Sequence, residues 1–294
     1  MTKILLTGKN GQLGQDLQPL LRQQGELIAL GKEDLDLSNL NQIRDVIKTQ
    51  KPDLIINSGA YTAVDQAESE PDLAQTLNGD APRVLAECAE QIGARLFHIS
   101  TDYVFDGEKN QPYTEEDQPN PIGVYGQSKL AGEVGIQNNC QNYVILRTAW
   151  VYGTYGKKNF VKTMLRLGAE REELKVVSDQ VGTPSWTYDI AQAVVGLMTH
   201  LPTSPIQEIY HFTNSGVTSW YDFSLAIFEE AQALKMPINI KQVFPISTPE
   251  YPTPAQRPPY SVLSNHKIAQ ILGTPSPQWR VSLRKMLSQL SQEK

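Results

Sequence analysis

The sequence predicts an α/β fold, a doubly wound parallel sheet with a smaller cap domain. Three observations lead there. Short apolar runs alternate with amphipathic helical patterns over the first two thirds of the 294 residues, the rhythm of a parallel sheet covered by helices on both faces. The runs are continuously apolar rather than alternating, as strands buried on both sides are. A glycine-rich turn follows the first of them directly.

The strands expected in order are "KILLT" (3–7), "LIAL" (27–30), "LIIN" (54–57), "RLFHIS" (95–100) and "YVILRT" (143–148). Between them lie "GQLGQDLQPLLRQQG", "LNQIRDVIKTQ", one long helical stretch from about Asp72 to Gln91, and the segment holding Tyr125. Right-handed crossovers are expected to bring each strand beside its predecessor. After Trp150 the rhythm is less regular, and the prolines of "STPEYPTPAQRPPY" mark loop. "TYDIAQAVVGLMTH" followed by "EIYHFTN" reads as helix then strand, returning the chain to the sheet. Residues 1–157 and 187–214 are therefore assigned to the sheet domain, and 158–186 and 215–294 to the cap. In such folds ligands bind at the carboxyl ends of the strands, so a cap seated there closes a cleft.

A net charge of −6 and a pI near 5.3, with no basic run, argue against nucleic acid or an anionic membrane surface as partner. The two cysteines, Cys88 and Cys140, form no CxxC and read as buried free thiols. The start runs straight into a strand without the pattern of a secretion signal, and no stretch approaches the roughly 18 apolar residues of a membrane helix. A cytoplasmic location is the expectation.

The turn "TGKNGQLG" spaces Gly8, Gly11 and Gly14 as G-x-x-G-x-x-G with a helix starting inside it. In a Rossmann-type dinucleotide site such glycines allow a tight turn, close approach of the pyrophosphate and close packing of helix on strand. The helix amino end adds free N–H groups for the phosphates. After the second strand comes "GKEDLDLS": Lys32 suits the extra phosphate of NADP, whereas Glu33, Asp34 and Asp36 suit the ribose hydroxyl of NAD. NADPH and NADH both stay open. The third strand runs into Asn57 and the small residues Ser58, Gly59 and Ala60, against which a flat ring can lie.

The fourth strand ends in "ISTDYVFDG", with Ser100 and Thr101 at the sheet's carboxyl edge. Tyr125 and Lys129 follow on a helical segment, four residues apart and so on one face. An ammonium about 6 Å from a phenolate, at an effective dielectric of about 20, contributes roughly 2.8 kcal/mol, which lowers a phenol from about 10 to about 8. A phenol so poised gives its proton to an alkoxide forming on a carbonyl carbon. The Thr101 hydroxyl is placed to polarise the same oxygen.

These residues resemble the extended short-chain dehydrogenase/reductases and, within them, the dTDP-4-dehydrorhamnose reductase family. "TGKNGQLG", "NSGAYTAVDQAESEP", "HISTDYVFDG", "VYGQSKLAGE", "LRTAWVYG", "NFVKTMLRL", "SDQVGTPS" and "YPTPAQRP" carry the resemblance over nearly the whole chain. It implies an NAD(P)H-dependent reduction of a dTDP-4-keto sugar, with Tyr125 as proton donor, Lys129 lowering its pKa and holding the nicotinamide ribose, and Thr101 as hydroxyl partner. It implies Gly8, Gly11, Gln12 and Leu13 at the pyrophosphate, Asp36 and Leu37 near the adenosine, and Gly59, Ala60, Tyr61 and Thr62 along the cofactor. Trp150 matches an aromatic on the sugar, with Val64, Asp65, Tyr103 and Arg257 flanking the sugar nucleotide. Some members bind magnesium between subunits through acids. Here Asp16 is present, but Tyr188 and Gln192 stand where acids are wanted and only Asp189 is near, so no metal is predicted. Monomer and homodimer remain open, as do an epimerase or dehydratase on the same fold and a non-catalytic regulatory subunit like that of methionine adenosyltransferase.

Overall fold

The computed structural model describes residues 1–292. The apolar runs become β1 (Lys3–Thr7), β2 (Glu26–Leu30), β3 (Leu54–Asn57), β4 (Arg95–Thr101) and β5 (Tyr143–Thr148), joined by β6 (Gln207–His211). All pair in parallel, in the order β6-β5-β4-β3-β1-β2. From β3 to β6 each strand lies beside its predecessor, as expected. β3 departs from that expectation: it pairs with β1, not β2. The winding reverses there, because right-handed connections running in opposite directions along a sheet must carry their helices over opposite faces.

Helix α1 (Gln12–Leu21) accordingly packs on one face with the helix Thr187–His200, burying Leu17 and Leu21 against Ile4, Leu6, Ile190 and Val194. The other face carries α2 (Leu40–Gln50), α3 (Ala81–Ile92) and α4 (Val124–Asn139), where Ile43, Ile47 and Leu85 meet Leu5, Ile55 and Ile145. Cys88 and Cys140 are buried free thiols in this second layer.

The stretch expected as one helix from Asp72 to Gln91 is interrupted. A π-type turn over Thr76–Asp80 separates Pro71–Gln75 from α3. The wider turn frees the side chain of Asn78 from the helix surface; its Oδ1 accepts from the Tyr61 N–H at 2.9 Å and its Nδ2 donates to the Tyr61 carbonyl at 3.0 Å. The segment after β3 is thereby pinned, a common use of such turns near functional sites.

A third cluster lies beyond the strand ends: Tyr152 of the short strand Val151–Tyr152 with Val161, Phe223, Ile227, Trp279 and Leu283 of the helices Phe160–Glu170, Trp220–Ala233 and Trp279–Gln292. A two-stranded parallel ribbon, Glu173–Val177 with Gln242–Ile246, faces it. One late segment departs from the expected division, since Ile268 of the helix His266–Leu272 packs in the α1 layer of the sheet.

Leu17 is fully buried at the centre of that layer, so Leu17→Ala is expected to lower the unfolding free energy by about 2–5 kcal/mol. The exposed Leu73→Ala is expected to change it by no more than about 0.5 kcal/mol; denaturant unfolding compares the two.

Candidate active site

The reversal of the sheet leaves a crevice between the ends of β1 and β3, and the glycine turn occupies it. Gly8 has φ +73°, and a Cβ on it would lie 2.8 Å from the Gly59 N. A Cβ on Gly14 would lie 2.1 Å from the Gly8 carbonyl oxygen, so α1 can sit this close to the turn only with glycine there. Gly11 caps α1 without a side-chain hydrogen bond, which leaves the helix amino end facing the cleft with free N–H groups. This cradle fits a dinucleotide pyrophosphate on geometry alone.

The cleft above it measures about 1380 Å³. Gly8, Gly11, Gln12, Leu13, Gly59, Ala60, Thr62, Val64, Asp65, Thr101, Tyr103, Tyr125, Lys129, Trp150 and Arg257 all line it, so most of the residues expected from sequence meet in one place. Three do not. Leu37 is buried in the second layer behind Gly59, Asp36 accepts hydrogen bonds from Ser38, and the Tyr61 hydroxyl donates to Glu70 at 2.8 Å. Gln12 reaches across the cleft floor. Its Nε2 donates to the Val151 carbonyl at 3.4 Å and its Oε1 accepts from Asn159 at 3.2 Å.

At the rim below β2, Lys9 is ion-paired with both Asp34 and Glu33, and Asn10 also donates to Glu33. Two of the acids that favour a ribose hydroxyl, Glu33 and Asp34, are thus engaged by the glycine turn itself. Lys32 lines the cleft and has no ion pair among the described residues.

Thr101 ends β4 and Tyr125 begins α4; the Thr101 hydroxyl donates to Asp102 Oδ1 at 3.0 Å and accepts from the Tyr103 N–H at 3.2 Å, next to the Tyr125 phenol. Burial pushes the Tyr125 phenol up to about 12; the neighbouring Thr101 hydroxyl opposes this and the Asp102 carboxylate adds to it. The expectation of a phenol near 8 is therefore wrong in sign. The Lys129 Nζ is turned back onto β4. There it donates to the Ile99 carbonyl at 2.7 Å and lies 3.2 Å from His98 Nε2. Burial lowers Lys129 itself to about 8, partly offset by Glu133. Burial likewise raises Asp102 to about 6, against hydrogen bonds from Ser261 and Thr101.

The far side is aromatic and basic. Trp150 has φ +47°, a costly conformation for a non-glycine residue. Its indole stacks on Trp220 with centroids 3.5 Å apart and planes 5° from parallel, and Gly182 leaves room for the ring, since a Cβ there would lie 2.5 Å from its Cε2. Arg257 donates to Asp65 at 2.9 Å and to Thr253 at 2.6 Å and hydrogen-bonds Tyr103, whose ring meets Tyr125 edge-on at 5.4 Å. Sequence reasoning missed Trp220, whose partner lies too far along the chain to leave a local pattern. The part played by Asp102 had a signal in its place beside Thr101.

A family model described as RmlD substrate binding domain matches residues 1–292. The chain belongs to the RmlD family. It is 41% identical over 292 residues to the dTDP-4-dehydrorhamnose reductase of Escherichia coli K12, covering 98% of this chain and 97% of that protein. The crystal structure of Bacillus anthracis dTDP-4-dehydrorhamnose reductase in complex with NADP superposes with a TM-score of 0.89 at 39% identity, over 98% of this chain and 100% of that one. The UDP-glucose 4-epimerase of Thermus thermophilus, solved with NAD, has a TM-score of 0.79 at 20% identity over 98% of each chain; that likeness concerns the fold alone. No helix among the described residues is long and apolar enough to cross a membrane.

Asp102 is an acid whose pKa is higher folded than unfolded, so the folded state carries a charging penalty that is present above about pH 6 and absent below the unfolded value near 4. Asp102→Asn is expected to raise Tm relative to the parent above pH 6, with the gain vanishing below pH 4 in thermal melts.

Proposed function

We propose that this protein uses NADPH to reduce the C4 keto group of dTDP-4-dehydro-L-rhamnose, giving dTDP-L-rhamnose. The observation that carries the reading is that Thr101 and Tyr125 line one cleft together with the glycine turn and Arg257. NADPH, when bound, supplies the hydride. Tyr125 holds its proton at neutral pH and releases it to the carbonyl oxygen as negative charge develops there, so it works as an acid from its resting state. Thr101 supports that oxygen with its hydroxyl. Arg257 presents a planar pair of donors to the diphosphate, and the Trp150 ring lies against the sugar.

On this reading residues 1–157 and 187–214 bind the dinucleotide. Residues 158–186 and 215–294 form the substrate cap, with His266–Leu272 returned to the sheet. Lys32, with Asp34 and Glu33 held by Lys9, favours the 2′-phosphate of NADPH, and NADH is the weaker donor. The same reading has the protein in the cytoplasm, as monomer or homodimer, acting on dTDP-sugars without nucleic acid or membrane. An epimerase or dehydratase would recycle its nicotinamide, and a regulatory subunit would leave it unchanged; stoichiometric oxidation of NADPH by the added keto sugar separates the reductase from both.

Tyr125→Phe is expected to lower kcat by about 10²–10⁴-fold with NADPH affinity unchanged; near-parental turnover would overturn the acid role. Lys32→Ala is expected to lower kcat/KM for NADPH by about tenfold or more, the worth of one charge-assisted contact, while NADH values stay within about twofold. Steady-state assays with each cofactor read both effects.

A further inference from the structure

A row of polar side chains crosses the sheet under the second helical layer, where apolar residues would otherwise continue. Thr7, Asn57 and His98 are in register on β1, β3 and β4, and Lys129 of α4 closes the row. All four are almost completely buried. Thr7 Oγ1 lies 2.6 Å from Asn57 Oδ1, Asn57 Nδ2 lies 3.0 Å from His98 Nδ1, and His98 Nε2 lies 3.2 Å from Lys129 Nζ. The Gly59 N–H donates to Thr7 Oγ1 at 3.2 Å, so the row begins at the glycine crevice.

Counting hydrogens along the row ties the ring proton of His98 to the orientation of the Asn57 amide and allows two tautomers. With the Asn57 amide as it stands, Nδ2 donates to His98 Nδ1, and a neutral imidazole then carries its proton on Nε2, facing Lys129. An ammonium has no lone pair to accept that proton, so this arrangement requires Lys129 as a neutral amine. Turning the Asn57 amide over puts its oxygen against Nδ1, moves the ring proton there and frees Nε2 to accept from a Lys129 ammonium. Thr7 accommodates both, since a hydroxyl gives and takes. His98 stays uncharged throughout, because burial and the nearby Lys129 charge hold it well below the ordinary imidazole range.

We propose that His98 is a positioning residue whose neutral ring exchanges tautomers, in step with a turn of the Asn57 amide, to hold Lys129 in one place in both its charge states. In the charged state His98 and the Ile99 carbonyl take two of the three ammonium hydrogens and leave one for the cleft, which Lys129 lines. The other groups around Lys129 do not duplicate this. Glu133, one turn further along α4, is taken by Arg147 of β5 and by Ser100. Tyr125 and Asp102 stand on the cleft side, where Thr101 donates to Asp102. The inference rests on Lys129 belonging to the working site, yet its first test needs no activity.

That test is the ¹⁵N NMR spectrum of the wild-type imidazoles across the Lys129 titration. The chain has four histidines, and the His98 signals are those missing from His98→Gln. They are expected to change from the Nδ1–H to the Nε2–H pattern as pH rises, with no imidazolium. A single tautomer throughout, or a cationic ring, would overturn the proposal. The second test is the pH profile of kcat/KM. His98→Phe removes an acceptor from the ammonium and is expected to move the alkaline limb down by about one pH unit. His98→Gln, whose amide oxygen can accept in its place, is expected to leave the limb near its parental position. Coincident profiles for Phe and wild type would count against the idea, and if the Phe variant does not fold the spectra decide it. If the chain proves inactive on the keto sugar, the function proposed above fails while the spectra still report on His98.

Discussion

Everything at the cleft depends on how closely two strand ends approach each other. β1 and β3 are neighbours only because the sheet reverses its winding, and at their carboxyl ends Gly8 and Gly59 meet with no space for a side chain between them. That contact opens the crevice, aims the amino end of α1 into it and sets the height at which the β4 end presents Thr101. A residue with a Cβ at Gly8 would displace the β3 loop and with it the anchor that Asn78 makes to Tyr61. The cap, by contrast, has its own apolar cluster and touches the chemistry mainly through rings and one guanidinium.

Electrostatics inside the cleft are governed by burial more than by pairs of charges. An ammonium near a phenol lowers its pKa only if the two face each other through a medium that does not penalise the phenolate. Here Lys129 faces β4, and the phenolate would have to form in a desolvated pocket beside Asp102. The result is a firmly protonated Tyr125 next to a lysine whose own charge is weakly held. This pair is arranged to give up a proton on demand rather than to sit poised halfway.

What could be read from the sequence follows from which signals are local. The strands, the glycine turn, Thr101 and the Tyr125–Lys129 spacing are short patterns whose physics is contained in a few residues, and the structure brings them together. Asp36, Leu37 and Tyr61 were legible only as members of motifs, and their side chains turn away from the cleft to cap, pack and hydrogen-bond. The position of β3 beside β1 depends on the whole winding, and the break in the helix at Thr76–Asp80 depends on a loop needing Asn78. Lys9 clamping Asp34, Trp220 under Trp150 and the row from Thr7 to Lys129 are tertiary facts. No spacing rule encodes them, because each joins segments that meet only after folding.

The stacked indoles of Trp150 and Trp220 have an optical consequence. One ring belongs to the segment that leaves β5 and the other to a cap helix, and at 3.5 Å and nearly parallel they are close enough for their excited states to couple. The only other tryptophans, Trp186 and Trp279, lie in the cap cluster. Ellipticity in the near ultraviolet therefore contains a built-in gauge of cap position: any movement of the cap away from the sheet must part this pair and alter the signal, with no label added.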